Sequence, residues 1–167
     1  MAATMQLRLR GDGVMEAALG RIITGFDNTE PLAEIFGTYL ESSTIERFDN
    51  ETAPDGTPWT QSIRAKEEGG QTLTDSSQLR SSIHAEPANG SVRWGSNKIY
   101  ARIHNDGGTI RAKGGGKLKF NLPGGLGFVS VDSVTIPQRQ FLGINAEDEA
   151  ELVTLTEEYA ADIGGLS

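Results

Sequence analysis

Cysteine is absent from this chain of 167 residues, so neither a disulfide framework nor a thiolate zinc site is available, and the redox compartment is left open. Histidine is nearly absent, with only His84 and His104. No run of about 18 apolar residues exists, which excludes a membrane-spanning helix of the usual kind. Arg8 and Arg10 interrupt the apolar stretch that a signal peptide requires, so a soluble protein made in the cytoplasm is expected. Apolar residues make up 37%, low for a compact globule, while glycine reaches 21 residues. The length fits one domain with a single core. The composition fits a domain in which part of the chain orders only against a partner.

Positive charge is in deficit. The formal net charge is −8, which argues against a general nucleic-acid coat. The charges are also sorted along the chain. From Arg93 to Lys119 there are seven basic residues (Arg93, Lys98, Arg102, Arg111, Lys113, Lys117 and Lys119) and one acid, Asp106. From Glu147 to Asp162 there are seven acids and no base. One reading is two solvated faces. The other is that opposite charges meet between neighbouring copies, because complementary fields steer association and set register.

Met5, Leu7 and Leu9 alternate with polar residues, the period of a strand with one buried face. Met15, Ala18, Leu19, Ile22, Ile23 and Phe26 follow helical spacing. Asp27-Asn28-Thr29 ends that helix, and Pro31 opens a second one. Its stripe of Leu32, Ile35, Phe36, Tyr39 and Leu40 extends toward Phe48, making it the longest helix and the main support of the core. Residues 49–72 read as irregular, with turns around Pro54-Asp55-Gly56-Thr57-Pro58 and a short helix over Ser62–Glu68. Thr74-Asp75 predicts the cap of a brief helix over Ser76–Ser82. Ile83 and Ala85, then Val92 and Trp94, flank Asn89-Gly90, which predicts a hairpin with a type I′ turn. Pro87 is expected to put the first strand at an edge or to end it early. Lys98–Asn105 predicts a short helix closed by Gly107-Gly108.

Residues 107–127 hold eight of the 21 glycines. The apolar positions there and beyond (Ile110, Leu118, Phe120, Leu122, Val129, Val131) predict a long Gly-rich β-hairpin, an arm over about 107–136. Asn145 and Asp148 predict a capped last helix, with Leu152, Leu155, Tyr159 and Ile163 on one face and Gly164-Gly165 at its end. The expected class is α+β: helices packed on a small, mostly antiparallel sheet, with the hairpin protruding. Residues 1–167 are expected to form a single domain.

The patterns of catalysis and ligand binding are each incomplete. Gly114-Gly115-Gly116-Lys117 fails as a phosphate loop, because Arg111 stands where the first glycine is needed and Leu118 where a hydroxyl would hold magnesium. Gly124-Gly125-Leu126-Gly127 lacks dinucleotide-loop spacing. Asp49, Glu51 and Asp55 miss the calcium-loop pattern, with Ala53 at a ligand position and Pro54 intruding. No Gly-x-Ser-x-Gly elbow accompanies either histidine. His104 lies four residues after Tyr100, on one helical face, and a structural hydrogen bond is expected of it. His84 is expected to be exposed. No catalytic residue, metal ligand or cofactor is assigned. Lys113, Lys117 and Lys119 suit a sequence-independent, salt-sensitive contact with DNA phosphates, with Phe120 placed to stack on a base.

Several blocks keep one order along the chain. Arg47-Phe48 leads to Pro54-Asp55-Gly56 and Trp59; Leu73-Thr74-Asp75-Ser76-Ser77 leads to Leu79 and Ser82-Ile83; Val92 and Gly95 follow. Then come Tyr100-Ala101 with His104 and Gly107, and Ile136-Pro137, Arg139 and Phe141-Leu142-Gly143. Together they resemble the phage virion morphogenesis family, which includes the Mu-like G proteins and the tail-completion S proteins of contractile phages. Ser77 stands where that family's pattern has glycine.

The resemblance spans about Met5 to Ile163. It implies a structural protein of the neck or upper tail, without cofactor or turnover, acting as a ring where head joins tail and assembled in the host cytoplasm. It implies as partners other copies of the chain (a six-fold ring), the tail tube protein and the neck proteins. A head-completion adaptor or stopper of the neck is the alternative within that class, and a DNA-contacting module of the packaging or ejection channel is the alternative outside it. Trp59 reads as a core plug or an interface anchor. With it, Arg111, Lys113, Lys117, Lys119, Phe120, Arg139, Phe141, Glu147 and Glu151 are the candidate interface residues.

Overall fold

The computed structural model describes residues 13–165, and the strand expected over Met5–Leu9 lies outside them. Helix α1 spans Gly13–Asp27 and α2 spans Glu30–Asn50, with Pro31 in the first turn of α2 where its missing N–H costs no bond. The buried face of α2 carries Leu32, Ala33, Gly37, Leu40, Thr44, Arg47 and Phe48, spaced three and four apart. Ile35, expected in that stripe, lies off the face and is exposed.

α2 lies across a hairpin of β1 (Ile83–Ala88) and β2 (Ser91–Ser96). The approach is close: a Cβ on Gly37 would sit 3.0 Å from the Cβ of Ala85. The hairpin keeps the two-residue Asn89-Gly90 loop, but Asn89 stays at negative φ and only Gly90 is left-handed, at 77°. The expected type I′ turn is therefore replaced by the φ pattern of type II. Tertiary bonds account for the change. The Asn89 carboxamide oxygen accepts from the Thr29 N–H (3.0 Å) and hydroxyl (2.8 Å), and the Gly90 N–H donates back to that hydroxyl (2.7 Å).

The short helix α3 runs over Ile63–Glu68, capped by the Ser62 hydroxyl. The helix expected over Ser76–Ser82 is reduced to one 3₁₀ turn at Arg80–Ser82. Its start is blocked because Leu73 (φ 66°) and Ser77 (φ 55°) are both left-handed, and Thr74 binds backward to the Gln71 carbonyl instead of capping. Ser77 thus occupies a glycine conformation at the position where the family pattern has glycine.

Helix α4 covers Ala101–Asp106. The arm that follows is a long hairpin interrupted once. β3 (Gly108–Arg111) pairs with β6 (Ser133–Ile136), and β4 (Leu118–Leu122) pairs with β5 (Gly127–Val131). Between the ladders, residues 112–117 loop out opposite Asp132 alone, closed by a 2.6 Å ion pair from Lys117 to Asp132. The tip folds onto α3, where the Gly124 N–H donates to Glu68 at 2.6 Å. The strands are antiparallel as expected, but they form three two-stranded ladders in place of one sheet.

The last helix, α5, spans Ala146–Gly164. Its N-terminus is a complete capping box: Asn145 accepts from the Asp148 N–H, and Asp148 accepts from the Asn145 N–H. α5 packs on α1 with Phe26 and Tyr159 edge to face at 5.9 Å.

Candidate functional site

The separate sequence blocks converge on one buried junction. Phe48, near the end of α2, is fully buried between Trp59 (5.4 Å, edge to face) and Phe141 (5.0 Å, tilted). Leu79, Ile83 and Ala101 complete the cluster. The turn carrying Pro54 and Gly56 is closed by Gly56 N–H to the Ala53 carbonyl (2.9 Å) and by the Thr52–Pro58 bridge, which presents Trp59 inward. The Trp59 indole N–H then donates to the Gln140 carbonyl at 2.9 Å. The tryptophan is a plug beneath its loop, 7% exposed.

Next to Phe48 in the chain, Arg47 reaches three elements at once. Its guanidinium donates to the carbonyls of Phe141 (3.1 Å) and Gly143 (2.7 Å), to the Ser43 hydroxyl (3.2 Å) and to the Asp148 carboxylate. Both members of the Arg47–Asp148 pair are buried. Burial alone would raise the Asp148 carboxyl, but the Ser43 hydroxyl, the Asn145 N–H, Arg47 and Tyr39 together hold it below its ordinary value. Tyr39 donates to the same carboxylate at 3.1 Å, and burial followed by that negative neighbour pushes its phenol up to about 12. A polar groove of about 490 Å³ opens above this pair, between the 53–56 turn and the start of α5.

The segment from Pro137 to Gly143 is held from the other side by α4. The Asn105 carboxamide oxygen accepts from the N–H groups of both Phe141 (3.1 Å) and Leu142 (3.0 Å). Arg139 is buried, its N–H donating to the His104 carbonyl (2.8 Å) and its Nε to the Thr60 carbonyl (2.6 Å). Two glycines are required by geometry. Gly107 has φ 70°, and a Cβ there would lie 2.7 Å from the Gln138 nitrogen. Gly143 has φ 157°, and its Cβ would lie 2.7 Å from Pro54.

The structural hydrogen bond expected of the His104 side chain is not found at its Nδ1; its backbone carbonyl is engaged instead, by the Arg139 N–H. The ring packs edge-on to Tyr100 at 6.1 Å, and its Nδ1 is buried without a hydrogen-bond partner among the described residues. Burial and the Arg139 charge lower its pKa, keeping it neutral. Asp49, Glu51 and Asp55 are committed separately, to Arg80 (2.8 Å), to the Thr72 N–H (2.5 Å) and to the Thr57 N–H (2.9 Å). No group of three potential metal ligands gathers among the described residues.

The candidate interface residues therefore divide into two sets. Trp59, Arg139 and Phe141 are buried in the junction; Arg111, Lys113, Lys117, Lys119, Glu147 and Glu151 are exposed, and Phe120 is half-buried in the arm. Two members of the junction had no site role assigned from sequence. Asn105 lies within the block from Tyr100 to Gly107, but nothing there marked it as a partner of the 137–143 segment. Asp148 was legible as a helix cap but not as the counter-charge of Arg47. A signal for the pair existed, since Arg47 falls on the apolar face of α2 and a charge there requires a buried partner.

Fold and junction define a small α+β protein in which the ordered blocks clamp four segments together. The profile of the phage virion morphogenesis family matches residues 12–160, and the chain belongs to that family. It is similar to Mu-like prophage FluMu G protein 2 of Haemophilus influenzae, 25% identical over 155 residues that make up 93% of this chain and 95% of the relative. No solved structure matches significantly. Membership gives the protein a role in phage particle assembly.

Proposed function

We propose that copies of this chain form a ring that completes or terminates the phage tail and couples it to the head, acting through shape and docking surfaces without turning over a substrate. Family membership supports the class of role, and one observation supports the ring. Two exposed surfaces of opposite sign are left without partners. On the arm, Arg111, Lys113 and Lys119 make no ion pair among the described residues; on α5, neither do the exposed acids from Glu147 to Asp162. A ring closes through heterologous contacts, in which one surface meets a different one. A basic arm and an acidic helix on one chain are such a pair. The tail tube protein and the proteins of the neck are the outer neighbours in this reading.

The exposed bases also suit DNA in the channel, and one variant separates the two readings. Lys113→Glu/Lys119→Glu leaves the Lys117–Asp132 bridge intact. A ring builder loses assembly, with self-association weakened by about a hundredfold as like charges face each other. Sedimentation and particle counts read this directly. An intact oligomer that has lost only its salt-sensitive retention on DNA would replace the ring contact with the DNA-contacting function.

A further inference from the structure

One strand carries a protruding aliphatic side chain past one end and an apolar pocket at the other. Ile99, in the turn after β2, is 99% exposed, and Tyr100 beside it is 37% exposed. At the start of β2, Leu32, Ala33 and Phe36 of α2 join Gly90, Ser91 and Val92 around a cavity of about 220 Å³ with mostly apolar walls. A single exposed apolar residue is ordinary on a protein surface. The charges around these two features give them direction. Lys98 and Arg102 flank Ile99, while the exposed Glu30 and Glu34 lie on the turns of α2 that line the pocket. Lys98, Glu30 and Glu34 form no ion pair among the described residues; Arg102 has only an exposed bridge to Asp106 at 3.3 Å.

We propose that Ile99 of one copy inserts into the pocket between α2 and the β1–β2 turn of the next copy. The inference rests on the ring reading above and names a contact within it. Ile99 is outside its own pocket, because nearly all of its surface is free. The six residues of β2 hold the two features about 20 Å apart. Knob and socket at opposite ends of one strand can be matched head to tail, the arrangement that generates a ring when the rotation closes. Around the contact, Lys98 and Arg102 of one copy meet Glu30 and Glu34 of the other. That rim excludes water from an apolar centre, the usual anatomy of a binding hot spot.

Ile99→Asp tests the contact at a site too exposed to disturb the fold, so its thermal midpoint should match the wild type. Self-association should fall about 30-fold, the loss expected of a hot-spot residue. Because the chain lacks cysteine, engineered thiols are its only ones. Particles assembled from a mixture of Ile99→Cys and Ser91→Cys chains should yield a disulfide-linked dimer on mild oxidation, and a mixture of Ile99→Cys with Ser130→Cys should not. Undiminished association of Ile99→Asp together with no Ile99–Ser91 cross-link would overturn the contact and leave the ring standing. A wild-type chain that is monomeric in solution and present as one copy per particle would remove ring and contact together.

Discussion

Replacing Arg47 by alanine is expected to cost about 3–5 kcal/mol of folding stability, the range for breaking a buried ion pair from one side. With folding stabilities of about 5–15 kcal/mol, that is a large part of the total. Three losses coincide. Asp148 keeps its burial but loses its cation, the carbonyls of Phe141 and Gly143 lose their donor, and the groove above them opens further. Arg47→Lys should recover only part of the loss, because an ammonium lacks the planar fork that spans two carbonyls and a carboxylate together.

The acid limb of the stability curve is the second readout of the same variant. The folded-state pKa of Asp148 lies below its ordinary value of 3.8, so the native state binds fewer protons than the unfolded chain as the carboxyl titrates. Its contribution is complete above about pH 3.8 and is lost as pH falls through the lower folded value. In Arg47→Ala the folded carboxyl titrates higher, and acid unfolding should begin at higher pH. Denaturant titrations within 1 kcal/mol of wild type, with an unmoved acid limb, would show that Arg47 does not hold the junction.

Phe141→Ala is the second large effect, at about 3–5 kcal/mol. The ring is fully buried against Phe48, and its backbone is pinned by Asn105, so the site has little freedom to collapse around the hole. Phe128→Ala, on the outer face of the arm where the ring is 63% exposed, is the matched control and should stay within about 0.5 kcal/mol of wild type. A loss at Phe141→Ala as small as that expected of the Phe128 control would mean that the 137–143 segment is not part of the core.

The elements that announce themselves by local rules were legible. α2 and α5 show their helical stripes in sequence and α5 its capping box, whereas Thr29 makes no side-chain cap on α2; Asn89-Gly90 marks its hairpin. The parts that were not legible depend on contacts between distant segments. Thr29 decides the turn at Asn89, against the preference of an isolated Asn-Gly. The left-handed Leu73 and Ser77 cut short a helix that Thr74-Asp75 would otherwise start. The break in the arm depends on a six-residue loop facing one residue, which alternation in either strand does not reveal. At the junction, the ordered blocks included Arg47 but not its partner Asp148, and they held both Phe141 and Asn105 without showing that Asn105 orders the Phe141 backbone. The knob at Ile99 reads in sequence as another apolar residue before a helix, and only its exposure sets it apart.

The most direct test of the account is imaging of particles made when the gene for this chain is deleted and its variants are supplied in trans. The account predicts heads and tails that accumulate apart, with joining restored by the wild-type chain and not by Lys113→Glu/Lys119→Glu. Infectious particles with normally joined heads and tails in the absence of the chain would contradict it.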